Sequence, residues 1–146
     1  MVSSPSAAEQ GAEPGSLLTV WTRGDDPRAT ALTDAAAALG YPGVRIDIAD
    51  AYDVRGGVTD DLIALVVDPL IQHTDDPGGG STVDVLLRPG VTDTAGAEME
   101  RAAAWMEHDV AVASGRRFRV HGLEPGADLD RLVRRLLAIV GLHVAC

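Results

Sequence analysis

The sequence contains no lysine and no asparagine, and its one cysteine is the last residue, Cys146. Without lysine there can be no Schiff base, no phosphate-loop lysine and no lysine general base. A single thiol forms neither an internal disulfide nor a thiol pair for a metal, so cysteine chemistry is not expected to be the function. No apolar run approaches the roughly 18 to 20 residues that a membrane span needs, and residues 1–15 lack the basic start and apolar stretch of a signal peptide. The expectation is a cytoplasmic protein with no membrane partner. Positive charge is also scarce: 12 Lys+Arg face 22 Asp+Glu, a formal net charge of -10. Such a chain repels nucleic acid as well as anionic lipid. The one basic cluster, Arg116, Arg117 and Arg119, is expected to pair with surrounding carboxylates.

A chain of 146 residues, 46% hydrophobic, suits a single domain with one core. Residues 1–15 are small and polar, cannot repay the entropy of ordering and are expected to be a disordered tail. The domain then spans 16–146. Leu17 to Thr22 predicts a strand, Asp26 a helix cap and Pro27 the first helical residue. Leu32, Ala36 and Leu39 continue that helix, and Gly40 ends it. Val44 to Ile48 predicts a second strand. Thr59 to His73 fits a helix or a buried strand, with helix preferred and Pro69 ending or kinking it. Thr82 to Leu87 reads as a strand, Thr94 begins a helix through Met99, Ala103 and Met106, and Val110 to Ala113 and Phe118 to Val120 read as two short strands. Asp128 to Gly141 is an amphipathic helix. No internal repeat is evident. Strands alternating with helices predict an α/β fold, a Rossmann-like or flavodoxin-like three-layer sandwich with a mostly parallel sheet of about five strands.

Several motifs fail on context. Gly78-Gly79-Gly80-Ser81-Thr82 precedes a strand rather than a helix and lacks lysine, so it is a flexible turn and not a phosphate loop. No nucleophile elbow surrounds Ser114, and no dinucleotide fingerprint follows the first strand. His73, His108, His121 and His143 stand singly, which excludes a histidine pair on one helix face; no metal is expected. His108 suits the end of a helix, near the last carbonyls. The remaining candidate is the strand-to-helix turn from Arg88 to Glu100, because ligands of open sheets bind beside helix N-termini with free amides. Gly96 and Glu100, four residues apart, share a helix face, and glycine leaves room for a ligand beside the carboxylate. The alternative reading makes Glu100 a solvated carboxylate and Gly96 a close-packing position.

Asp84, Pro89-Gly90, Gly96, Glu100, Ala104 and the strand Val110 to Ala113 together resemble the nucleoside 2-deoxyribosyltransferase-like superfamily. The resemblance covers about 30 residues clearly and implies a Rossmann-like sheet, with Glu100 as the nucleophile that attacks the sugar of a nucleoside or nucleotide. It further implies substrate contacts from Arg23, Gly24, Arg88, Gly90, Thr94 and Gly96, no cofactor, and a homodimer, since relatives often complete the pocket with a neighbouring subunit. The chain departs from the family where the glycine-rich phrase after the first strand is Trp21-Thr22-Arg23-Gly24-Asp25, and where Ala102 follows Glu100 by two. Leu18 to Asp50 is also similar to glutaredoxin-like proteins, but without their paired cysteines, which excludes redox activity. The competing expectation is a noncatalytic α/β domain, with a thioredoxin-like fold lacking the redox cysteines as one form of it, that binds a nucleotide or a protein through the same kind of cleft.

Overall fold

The computed structural model describes residues 16–87 and 92–139; the expected tail, 1–15, lies outside them. The elements in chain order are β1 (Ser16–Thr22), α1 (Pro27–Ala38), β2 (Arg45–Arg55), α2 (Asp60–Val66), β3 (Gln72–His73), β4 (Ser81–Leu86), α3 (Thr94–Trp105), β5 (Ala111–His121) and α4 (Ala127–Ile139). Asp26 caps α1 by accepting from the Arg28 N–H, Pro27 occupies its first turn, and Gly40 takes the left-handed conformation (φ 102°) just after its end. The ambiguous segment splits: Thr59 caps a short α2, and the chain then reaches the two-residue strand β3. Among the described residues no helix is long and apolar enough to cross a membrane.

The sheet has five strands in the order β3-β1-β2-β5-β4, and every pairing is antiparallel. This corrects the expected mostly parallel, Rossmann-like or flavodoxin-like sheet. Ser16 lies opposite Val54 and Val20 opposite Asp50, so β1 ends and β2 begins at the same end of the sheet. α1 lies over that end and does not carry the chain back to the start of β1. Side-chain periodicity reports which face is buried but not which way a strand runs, and alternation of elements was a poor guide to direction. Two strands also run longer than expected. β2 continues past Ile48 to Arg55, and the two short strands expected at 110–113 and 118–120 are one, β5.

All four helices cover the face formed by Leu18, Val20, Ile46, Ile48, Val54, Val112, Phe118 and Val120. α1 and α4 bury Leu32, Ala36, Leu129, Leu132, Leu136 and Leu137 over one end. α2 and α3 bury Leu62, Met99 and Ala103 over the other. Full burial of one such leucine contributes about 1.5 to 3 kcal/mol, which makes these two clusters the main source of stability. The opposite face carries Asp47, Asp84, Arg117 and Arg119 and is crossed by the connection from β3 to β4.

The fold repeats. β1-α1-β2-α2 is followed by β4-α3-β5-α4 with the same connectivity, and the two halves meet through the full-length antiparallel pairing of β2 with β5. The relation extends to single atoms. Asp26 and Asp93 cap α1 and α3. The Ile46 N–H donates to Thr33 Oγ1 (3.0 Å), and the corresponding Val112 N–H donates to Glu100 Oε2 (2.8 Å). Gly40 and Glu107 both have positive φ (102° and 64°), and the next residues, Tyr41 and His108, both donate to the carbonyl of a buried alanine, Ala36 or Ala103, at 2.9 Å. The chain is therefore two βαβα units about an approximate two-fold axis, a repeat that the sequence alone did not reveal.

This symmetry explains the edges. β1 covers only one part of β2, and β4 only one part of β5, at opposite ends. Each uncovered stretch offers backbone groups that need partners, and the adjacent helix supplies them. Thr33→Val, equal in shape but unable to bond Ile46, should therefore lower stability by about 1 to 3 kcal/mol in urea unfolding. Thr30→Val, on the exposed side of α1, is the control. Equal midpoints for the two variants would disprove the role assigned to Thr33.

Candidate binding cleft

A cleft of about 510 Å³ opens where β1 stops and β2 continues, between the first turns of α1 and the connection that follows β3. Trp21, only 4% exposed, forms part of its floor and is fixed by an Nε1–H bond to Thr19 Oγ1 (2.9 Å). Ala29, Thr33, Ile46 and Ile48 line the helix side; His73 and Pro77 line the other. β1 places Trp21 and Thr22 there because its alternation continues to the last paired residues, and the turn at Gly24 (φ 73°) redirects the chain into α1.

Charge in the cleft is predominantly negative: Asp25, Asp26, Asp34 and Asp47 line it, against Arg45 and His73. Two of the four carboxylates have structural duties. Asp26 accepts from the Arg28 backbone N–H (2.9 Å) and pairs with the Arg28 guanidinium (2.9 Å), which in turn reaches Asp50 (2.9 Å). Burial alone would raise the Asp26 carboxyl, but the Arg28 bonds outweigh it and hold it below the usual carboxylate range. The same contacts hold the Arg28 guanidinium charged. Asp47 lies 2.9 Å from His121 Nε2 and 3.5 Å from Arg45. Asp25 and Asp34 are exposed, and neither has an ion-pair partner among the described residues. Among those residues no group of three or more His, Cys, Asp or Glu is placed to hold a metal ion.

The residues expected to form a site do not all meet. Gly24 lines the cleft. Arg23, its neighbour, instead donates from Nε to the Pro69 carbonyl (2.9 Å) and fastens the segment before β3. Arg88 and Gly90 lie outside the described residues. Thr94 is the exposed first residue of α3, but the cap is Asp93. Asp93 accepts from the Gly96 N–H (2.8 Å), the Ser114 N–H (2.7 Å) and the Ser114 hydroxyl (2.5 Å). Gly96 is buried, and a Cβ there would come within 2.7 Å of the Val112 carbonyl oxygen, so it permits α3 to press against β5. Glu100, half-buried, spends one oxygen on the Val112 N–H.

Asp93 and Glu100 are thus spent on backbone groups of α3 and β5, whereas Asp25 and Asp34 of the first half have no ion-pair partner among the described residues. The sequence signal that could have pointed there is Asp25-Asp26 directly after a strand, with Asp34 two helical turns later. A scan against protein-family models and searches of curated proteins and of solved structures give no match to this chain, so the functional reading rests on its own geometry.

Proposed function

We propose that the chain is a binding domain whose cleft beside β1 and α1 takes a small cationic ligand carrying amine or guanidinium groups. The observation that carries this reading is the pair Asp25 and Asp34, exposed, on the lining of a cavity large enough for a small molecule, and without cationic partners among the described residues. With Asp26 and Asp47 nearby and a net charge of -10, the potential there attracts cations and repels nucleotide phosphates. A cytosolic setting, where polyamines and basic amino acids are abundant, fits it. The nucleotide reading would require phosphate beside four carboxylates. The glycosidase reading would rest on the single Glu100 oxygen not bonded to the Val112 N–H.

Thermal-shift titration tests the proposal. Spermidine or argininamide at a hundred times its Kd should stabilise the fold by about 2.7 kcal/mol. Asp25→Asn combined with Asp34→Asn should weaken binding about three- to tenfold, the scale of two exposed charges. Stabilisation by nucleotides but not by amines would overturn the reading, and so would release of free base from a nucleoside panel that is lost in Glu100→Gln.

A further inference from the structure

The stretch of β2 that β1 leaves uncovered differs from its twin in β5 at one backbone position. Ile48 is equivalent to Ser114, as Ile46 is to Val112 and Asp50 to Arg116. Both backbone groups of Ser114 are engaged: its N–H donates to Asp93 Oδ2 (2.7 Å), and its carbonyl accepts from the Leu87 N–H (2.9 Å). Neither arrangement recurs at Ile48. β4 pairs with β5 as far as Leu86 opposite Gly115, but β1 leaves β2 one residue sooner, after Val20 opposite Asp50. Trp21 and Thr22 pair with β3 instead. Asp26, the equivalent of Asp93, is spent on the Arg28 N–H, the Arg28 guanidinium and the Thr22 hydroxyl. Among the described residues Ile48 therefore has neither the ladder partner nor the carboxylate that serve its twin, although it is only 7% exposed. Backbone groups so shielded are rarely left unpaired. Antiparallel pairing alternates, so the Ile48 N–H and carbonyl point to the same edge as the Ile46 N–H, which Thr33 meets. Thr33, Ile46 and Ile48 all line the cleft, so this donor and acceptor open onto it.

We propose that the cleft binds an arginine or lysine residue of an extended peptide, paired backbone to backbone with Ile48. The proposal rests on the cleft being a site for cations, and it names the molecule that carries the charge. A peptide residue set antiparallel opposite Ile48 donates its N–H to the Ile48 carbonyl and accepts from the Ile48 N–H, as when an added strand extends a sheet edge. Residues opposite each other project to the same face. The Ile48 side chain lies on the helix-covered face, so the bound side chain runs toward α1, with Asp34 on that helix and Asp25 just before it. Holding backbone and charge together gives a selectivity that the carboxylates alone lack, because a free amine or guanidinium has no acceptor for the Ile48 N–H.

The test is an NMR titration of the whole chain with N-acetyl-arginine-N-methylamide and with butylguanidine, which carries the same charge without a peptide group. The peptide analogue should bind at least tenfold more tightly. At saturation it should slow hydrogen exchange of the Ile48 amide at least fivefold, while butylguanidine leaves that rate within twofold. Methylating the arginine backbone nitrogen of the analogue removes the donor to the Ile48 carbonyl and should weaken binding at least fivefold. Equal affinity for the analogue and butylguanidine, or unchanged Ile48 exchange at saturation, would overturn the backbone pairing. The cation site would stand without it if butylguanidine bound and lost affinity in the variant combining Asp25→Asn with Asp34→Asn. Absence of binding by both probes would overturn both readings together.

Discussion

Gly115→Ala should cost at least about 3 kcal/mol and lower the melting temperature by about 10 °C. At Gly115 the backbone of β4 passes so close that a Cβ would overlap the Val85 carbonyl oxygen and approach the Leu86 Cα to 2.7 Å. Both are backbone atoms, so no rotamer change relieves the clash. β4 would have to withdraw from β5 where Val85 faces Arg116 and Leu86 faces Gly115, losing ladder hydrogen bonds and uncovering Val85, now 9% exposed. Gly43→Ala is the control, because a Cβ there meets nothing within 4 Å. Calorimetry of the two variants decides the matter; a loss below 1 kcal/mol for Gly115→Ala would mean that β4 is not seated as described.

Asp93→Ala is expected to cost about 3 to 4 kcal/mol, the largest effect of any single polar truncation on α3. It removes the cap of the helix, worth about 1 kcal/mol, and also abandons the buried Ser114 N–H and hydroxyl, where charge-assisted bonds are worth about 1.5 to 3 kcal/mol. Glu100→Gln, by contrast, keeps a carbonyl acceptor for the Val112 N–H and should lose less than about 1 kcal/mol. The pH dependence separates this from generic damage. Burial pushes the Asp93 carboxyl up, but the Ser114 hydroxyl and the Ser114 and Gly96 amides outweigh it, and the net result lies below the usual carboxylate range. A group lowered on folding contributes its full stability above its unfolded pKa of about 4, and loses that contribution as the pH falls through the lower folded value. Urea unfolding from pH 7 to pH 3 should therefore show a shallower acid decline in Asp93→Ala than in the parent. Parallel declines would show that Asp93 is not ionised in these bonds.

The same two residues show what the sequence could reveal and where its evidence stopped. Local signals were legible: Asp26 before Pro27 gave the start of α1, Gly40 its end, and the spacing of Leu129, Leu132 and Leu136 the apolar face of α4. Strand direction was not, because Leu18 and Val20 would be buried equally in a parallel or an antiparallel neighbour. Ser114-Gly115-Arg116-Arg117 looked like a break between strands, since the use of Gly115 depends on where β4 passes. The repeat was hidden because equivalent positions hold different chemistry: Thr33 and Glu100 perform the same backbone task, as do Gly40 and Glu107. Gly96 and Glu100 serve the packing of α3 on β5, through a close backbone approach and a bond to the Val112 N–H. The first half carries Asp25 and Asp34, whose meaning emerges only once the cavity beside them is known.

Asp50 and Arg116 occupy equivalent positions in the two halves, and they face each other across the β2–β5 pairing, with Arg116 Nη1 3.4 Å from Asp50 Oδ1. In an assembly of two identical βαβα chains the residue on such an axis would meet only itself, acid against acid or base against base. Joining the copies in one polypeptide lifts that constraint, so attraction can replace repulsion at the centre of the molecule. The same freedom lets a hydroxyl, Thr33, and a carboxylate, Glu100, hold equivalent strands by different chemistry.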